Sequence, residues 1–458
     1  MKLVLLSGGS GKRLWPLSND SRSKQFLRIL QGPGQRLESM VQRVWRQLDT
    51  AGMGHHSYVA TGKGQMEMLQ SQVGAEVPLI IEPERRDTFP AIALAATYLY
   101  SMEGISTNEV VTIMPVDPYV EDAFFAALKS LEAVIHQSGA ELALMGVQPT
   151  YPSEKYGYIV PHAPDQNGSR AFYTVSHFAE KPDQAKAAQL IERHALWNCG
   201  VFAFKLGYLI DLLVQKGLPI QYEEMVKQYA KIPKISFDYE VVEKAKHIAV
   251  VPFDGCWKDL GTWNTLTEEI GSAVIGHGAV SPDSHNTHLI NELDIPVAVI
   301  GVSNIIVSTS PDGILVAEKG ASPQVKDFIK HFEQRPMYEE RRWGTYRVLD
   351  FKKFSEGYEV LTKGICIESG KNLSYQMHSK RSEVWTIIAG EGELILNGRL
   401  HHVKAGDVVK IPHEAKHSIR AITDLEIIEV QTGCELVEED IIRFCLSWDE
   451  IIESYCSV

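Results

Sequence analysis

Near its start the chain sets glycines beside cations. Gly8, Gly9 and Gly11 fall within four positions, and Lys12, Arg13 and Lys24 follow. Without a Cβ, glycine lets backbone N–H groups come close to an anion, and the basic side chains add charge. The apolar run from Leu3 to Leu6 suits a buried parallel strand. A strand, a glycine-rich turn and a basic cluster make a polyphosphate site. Two familiar phosphate motifs do not fit. A P-loop using Lys12 would need glycine at position 6 and a hydroxyl residue at 13, where Leu6 and Arg13 stand. A dinucleotide fingerprint from Gly9 would need glycine at Leu14.

Two acidic residues stand in matching contexts. Asp117 closes Met114-Pro115-Val116-Asp117, and Asp259 lies within Trp257-Lys258-Asp259-Leu260-Gly261-Thr262-Trp263. A strand-end carboxylate is often a cap or turn residue. Beside a polyphosphate it suits Mg²⁺, which prefers oxygen ligands and shares them with phosphates.

The run Gly9-x-Gly11-x-Arg13, with Lys24 eleven residues later, resembles the signature of nucleotidyltransferases that join a sugar 1-phosphate to a nucleoside triphosphate. Leu14-Trp15-Pro16-Leu17-Ser18 resembles the mannose-1-phosphate guanylyltransferase branch. The family usually has proline where this chain has Ser23, and histidine where it has Pro118. Glu82-Pro83-Glu84-Arg85-Arg86-Asp87-Thr88-Phe89-Pro90-Ala91 is similar to the family's segment that follows the strand-like run Leu79–Ile81, where Asp87 or Thr88 would also cap a helix. The resemblance implies catalytic roles for Arg13 and Lys24, and Mg²⁺ on Asp117 and Asp259. It implies nucleotide contacts from Ser7, Gly8, Gly9, Gly11, Glu82, Arg86, Thr88 and Pro115. Three further motifs imply the sugar-phosphate site: Gly157 in Tyr156-Gly157-Tyr158, Glu180 and Lys181 in Phe178-Ala179-Glu180-Lys181-Pro182, and Asn198 in Trp197-Asn198-Cys199-Gly200. The implied substrates are GTP and mannose 1-phosphate. Another sugar 1-phosphate, or a sensor that binds without turnover, are the alternatives.

Positioning these residues calls for an α/β domain. Strand-like runs (Leu79–Ile81, Val110–Met114, Leu142–Met145) alternate with helix-like ones (Ala91–Tyr100, Ala123–His136) over residues 1–265. Such alternation predicts a Rossmann-like, mixed but mostly parallel sheet with ligands at the strands' carboxyl ends. Residues 266–342 read as a short β-rich, β-helical segment. This segment includes a connector helix over Gln324–Gln334, its core stripe Val325, Phe328 and Phe332.

Residues 343–458 are strand-rich, with an Asn397-Gly398 hairpin signal. The spacing Gly370-x5-Gln376-x-His378-x4-Glu383-x6-Gly390, then Gly406-x5-Pro412 and His417, resembles an all-β cupin barrel. Gln376, His378, Glu383 and His417 make a mixed N and O donor set suited to Zn²⁺ or another first-row ion. The segment also resembles the C-terminal domain of enzymes that isomerise mannose 6-phosphate and fructose 6-phosphate. Their run Gln-Met-His-His-His-Arg-x-Glu-His-Trp loses three histidines here, at Ser379, Lys380 and Val384. Lys380 is expected on the ligand face, where an ammonium repels a metal. The losses spare the metal set and weigh against isomerase activity.

The net charge of −13 argues against wholesale nucleic-acid binding. No apolar run approaches a membrane span. The N-terminal apolar run is too short for a secretory signal. Six scattered cysteines without Cys-x-x-Cys fit reduced thiols in the cytoplasm. A homo-oligomer is compatible with all of this.

Overall fold

The structure, a computed structural model, describes residues 1–9, 12–19, 21–162, 171–332, 335–355 and 357–456. The chain forms two compact units. One comprises 1–14 and 23–271, the other 15–22 and 272–458.

The first unit is built on a nine-stranded sheet. Its strands are β1 (Lys2–Ser7), β2 (Ser57–Gly62), β3 (Leu79–Glu82), β4 (Val110–Pro115), β5 (Leu142–Val147), β6 (Tyr158–Pro161), β7 (Tyr173–Ala179), β8 (Leu196–Lys205) and β9 (Ile248–Phe253). They lie in the order β3-β2-β1-β4-β8-β5-β9-β7-β6. β1 pairs in parallel with β2 and β4, as do β2 with β3 and β5 with β9. Only β7 and β8 run against the rest. The amino end of β8 therefore meets the carboxyl ends of β1 and β4, and Asn198 joins Ser7 and Pro115 at one edge. This is the mixed, mostly parallel sheet expected.

The pleat divides the core into two layers. Leu3, Leu5, Val110 and Met114 face one layer, and Val4, Val111 and Ile113 the other. The first layer is covered by α1 (Ala123–Ser138), which buries Phe124, Phe125, Leu128 and Leu131. The second is filled by Thr88–Ser101, apolar on nearly every side because helices surround it. Each such buried Leu or Phe contributes about 1.5–3 kcal/mol. Asp87 caps that helix, accepting from Thr88 N at 2.8 Å.

The second unit opens with short strands. Val274–Gly276, His288–Asn291 and Ile305–Ser310 stack in parallel, as do Gly278–Val280 and Val297–Val299. No helix crosses between them, so they form the β-helical coil expected. Residues 15–22 are held in this unit: Ser310 Oγ donates to Pro16 O at 2.7 Å, and Arg22 pairs with Glu292 through both terminal nitrogens at 2.8 and 2.9 Å.

The helix expected over Gln324–Gln334 is shorter. It spans Val325–Ile329 after a 3-10 turn, and Glu333 and Gln334 lie outside the described residues. Its buried pair is Val325 and Ile329, one turn apart, while Phe328 and Phe332 are 72% and 60% exposed. A single turn can bury only one such pair, so the expected three-residue stripe does not form. Phe332 instead meets Trp15 edge-on, with ring centroids 5.7 Å apart.

Beyond 337 come a six-stranded and a five-stranded antiparallel sheet enclosing one core that includes Leu361, Trp385, Ile419 and Ile427. This is the cupin-like region. Asn397 and Gly398, with φ of 49° and 79°, make the two-residue turn between Glu391–Leu396 and Arg399–Lys404. Among the described residues no helix is long and apolar enough to cross a membrane.

Candidate functional site

A cleft of about 570 Å³ opens at the sheet edge where β1, β3 and β4 end and β8 begins. Gly8 and Gly9 form part of its wall, and no atom lies within 4 Å of where their Cβ atoms would be. Gly9 sits at φ 150°, a conformation that favours glycine. Ser23 Oγ donates to Gly9 O at 2.8 Å and pins the turn. Ser7 is fully buried and accepts from Gln25 Nε2 at 3.3 Å, so it braces the turn from behind. Gly11 lies outside the described residues.

Asp117 and Asp259, far apart in sequence, meet at the mouth. The strand Pro118–Val120 pairs antiparallel with Trp257–Asp259, and the register sets Asp259 opposite Pro118. The Lys24 ammonium lies between the two carboxylates, 2.9 Å from Asp117 Oδ2 and 2.9 Å from Asp259 Oδ1. Burial alone would lower the Lys24 pKa. The charges of Asp117 and Asp259 more than reverse this and raise it above the ordinary lysine value. Burial disfavours the charged form of Asp259, but Lys24, and then Arg13, hold its carboxyl below the usual range. Arg13 is exposed in the 3-10 turn Lys12–Leu14. Two carboxylates converging from separate strands are a donor set that fits a divalent ion.

Glu82, Arg86, Thr88 and Pro115 also line the cleft. Three of them are tied into the protein. Glu82 accepts from the Tyr229 hydroxyl at 2.8 Å, and burial raises its pKa. Arg86 donates through Nε to Ile232 O and through Nη1 to Glu84 Oε1, each at 2.9 Å. Thr88 Oγ1 accepts from Phe237 N at 2.8 Å. These bonds dock the 232–237 loop against the cleft wall.

The far end is acidic. Glu180 accepts from its neighbour Lys181 at 2.5 Å through Oε1, while Oε2 is buried with no hydrogen-bond partner. A Cβ on Gly157 would stand 2.5 Å from that oxygen and 2.6 Å from Phe178 Cζ, so only glycine leaves room there. Asn198 donates to Asp238 Oδ1 at 2.7 Å and accepts from Gly200 N at 3.1 Å.

Arg85, Lys155, Tyr156, Lys234 and Asp238 also line the cleft and were not assigned roles from the sequence. Arg85 and Tyr156 lie inside motifs already quoted, and Lys155 directly precedes one. Lys234 and Asp238 belong to a stretch without a motif. The cleft lining thus combines the cations Arg85, Arg86, Lys155 and Lys234 with the carboxylates Glu180 and Asp238. A phosphorylated polyol suits such a mixture.

In the second unit His378, Glu383 and His417 bring ligand-capable atoms within 4.8 Å of one another. His378 Nε2 is 3.3 Å from Glu383 Oε1, and His417 Nε2 is 3.6 Å from Glu383 Oε2. Each ring uses Nδ1 on a backbone carbonyl, Asp440 O at 2.6 Å and Ala415 O at 2.9 Å. Both Nε2 atoms then face inward: His378 Nε2 lies 3.3 Å from Arg381 Nη2, and His417 Nε2 is buried without a partner. Imidazoles oriented in this way fit a metal. Gln376 is adjacent, its amide 3.3 Å from His378 Nε2.

Lys380 does not share the ligand face. It reaches outward to Glu435, while Arg381 lies buried against the cluster and donates to Glu383 Oε1 at 2.9 Å. The strand carrying Gln376 ends at Met377 and the next begins at Arg381. The intervening turn resets the alternation, so Arg381, Glu383 and Trp385 face inward together.

Comparison with known proteins agrees with this architecture. The family model "Nucleotidyl transferase" matches residues 2–273, and "Mannose-6-phosphate isomerase C-terminal" matches 330–445. Xanthan biosynthesis protein XanB of Xanthomonas campestris is 31% identical over 96% of this chain and 97% of its own. Mannose-1-phosphate guanylyltransferase ManC of Salmonella typhimurium is 29% identical over 96% of each. A crystal structure named mannose-1-phosphate geranyltransferase, from Thermus thermophilus, is 28% identical with a TM-score of 0.60. It covers 73% of this chain and 99% of its own.

Proposed function

We propose that this chain, which belongs to the nucleotidyl transferase family, makes GDP-mannose and pyrophosphate from GTP and mannose 1-phosphate. The observation that carries the reading is the cluster of Asp117, Lys24 and Asp259 at the mouth of a cleft whose other end is acidic. A phosphate oxygen of the sugar attacks the α-phosphorus. The bond from that phosphorus to the bridging oxygen breaks, and pyrophosphate leaves with the electron pair. The nucleophile is already anionic near neutral pH, so no general base is needed. Catalysis is positioning and charge neutralisation.

Members of this family generally work with a divalent metal. Asp117 and Asp259 would hold Mg²⁺, which offsets the repulsion between the two phosphates. Arg13 and Lys24 stabilise charge on the departing pyrophosphate. Lys181 takes the sugar phosphate, and Glu180 reads hydroxyls. Gly8, Gly9 and Pro115 offer backbone to the nucleotide. Asn198 stands at the sugar end, bonded to Asp238 and to Gly200 N. The six unpaired cysteines suit a reducing cytoplasm.

The test is a matrix of nucleoside triphosphates against sugar 1-phosphates with pyrophosphate detection. GTP with mannose 1-phosphate is expected to give the highest kcat/KM. A different preferred pair would overturn the substrate assignment, and no pyrophosphate from any pair would leave a binding protein. Gly157→Ala should raise the KM for mannose 1-phosphate and leave that for GTP unchanged, because its Cβ displaces Glu180. Equal KM values for both proteins would contradict that placement of the sugar.

In the cupin-like region His378, Glu383 and His417, with Gln376, are proposed to hold Zn²⁺ or another first-row ion. The full chain dialysed after zinc loading should retain stoichiometric metal by elemental analysis, and His417→Ala should lose it. Equal retention by both would reject the site.

A further inference from the structure

Asp238 is placed where a bound sugar would meet it. It lies in the short helix Phe237–Glu240, which Ser236 caps by accepting from Tyr239 N. Thr88 holds the start of this helix through Phe237 N. The helix therefore sets Asp238 in the cleft wall beside Glu180 and Asn198.

Asn198 is the group a sequence reader would choose for a hydroxyl, but its amide is fastened at both ends. Nδ2 donates to Asp238 at 2.7 Å, and Oδ1 accepts from Gly200 N at 3.1 Å. Asn198 is thereby an orienting strut for the Asp238 carboxylate. Across from it, Glu180 Oε2 is buried with no partner, in space that Gly157 keeps open. A buried carboxylate oxygen without a donor is costly, and a ligand that supplies one removes the cost. Glu180 and Asp238 offer carboxylate oxygens that favour hydroxyl donors, with the Lys181 ammonium paired to Glu180 beside them. Burial first, and then the Glu180 charge, push the Asp238 acid up to about 7.

We propose that Asp238 accepts a hydrogen bond from a ring hydroxyl of the sugar phosphate and, with Glu180, determines which hexose 1-phosphate the cleft accepts. This rests on the sugar-phosphate reading of the cleft given above. Asn198 acts on the sugar through Asp238, as a positioning residue.

Asp238→Asn separates acceptance from support. The amide oxygen can still accept from Asn198, but an N–H₂ replaces the oxygen offered to the sugar. The KM for mannose 1-phosphate is expected to rise about 10- to 100-fold, as loss of a charge-assisted hydrogen bond does. The KM for GTP and the thermal midpoint should stay unchanged. A series of monodeoxy mannose 1-phosphates supplies the second readout. The wild type should discriminate against one analogue, and that discrimination should collapse in Asp238→Asn. A wild-type KM for the sugar, KM values that rise equally for both substrates, or an unaltered deoxy profile would each overturn the inference. Calorimetric binding of mannose 1-phosphate to wild type and Asp238→Asn separates it from its premise. Wild-type binding without turnover defeats the transferase reading, whereas equal binding by both proteins defeats only the role of Asp238.

Discussion

Lys24→Ala is expected to lower turnover by about 10²-fold or more, the usual scale for losing a preorganised charge partner. The reason lies in what surrounds the ammonium. Asp117 and Asp259 approach it from opposite sides at 2.9 Å each, so it is held at the mouth without having to reorganise during reaction. Alanine leaves two carboxylates facing each other, with Arg13 and Lys155 as the remaining cations acting on Asp259. Two measurements separate the consequences. Saturating kcat reports the missing charge on the departing pyrophosphate. A calorimetric Mg²⁺ titration of the apoprotein should show tighter binding, because a competing cation has gone. Lys24→Arg should not restore kcat fully, since a planar guanidinium does not reproduce a point charge between two carboxylates. A Lys24→Ala protein with near-wild-type kcat would remove Lys24 from the reaction.

The sheet was largely legible because its signals are local. The apolar runs at Leu79, Val110 and Leu142 each extend only one or two residues further in the structure. The Asn397-Gly398 turn demanded its hairpin outright. Contacts that depend on tertiary pairing were not legible. The three-residue strands that bring Asp259 opposite Pro118 are too short to show any alternation. The resemblance brings Lys24, Asp117 and Asp259 to one site, but nothing in the sequence shows that the ammonium pairs with both carboxylates.

Similarly, Arg86 and Thr88 belong to a motif that faces the nucleotide, yet their polar atoms fasten the loop holding Ile232 and Phe237. Asp238 had no motif and emerges only because that loop folds back onto the cleft. The period-two rule placed Lys380 with Gln376 and His378, and it failed because a turn interrupts the strand. The same rule, restarted at Arg381, places Arg381 and Glu383 correctly.

The second large effect concerns Asp259, whose carboxyl Lys24 and Arg13 hold below the usual range. Asp259→Asn keeps shape and one acceptor oxygen for Lys24, which also retains Asp117. What disappears is a negative charge that the surrounding cations hold fully ionised. The divalent requirement should therefore shift to higher concentration, and the initial rate at limiting Mg²⁺ should fall by about 10²-fold or more, the scale of a lost electrostatic contact. Excess Mg²⁺ should recover part of that loss, because binding rather than geometry was weakened. Asp117→Asn should behave alike. The double variant should be worse than either but far from the product of the two losses, since residues sharing one ion act as a unit. An Mg²⁺ titration of the initial rate decides the matter. If the curve for Asp259→Asn overlays that of the wild type, Asp259 holds no metal, and its place beside Lys24 serves only to anchor the ammonium.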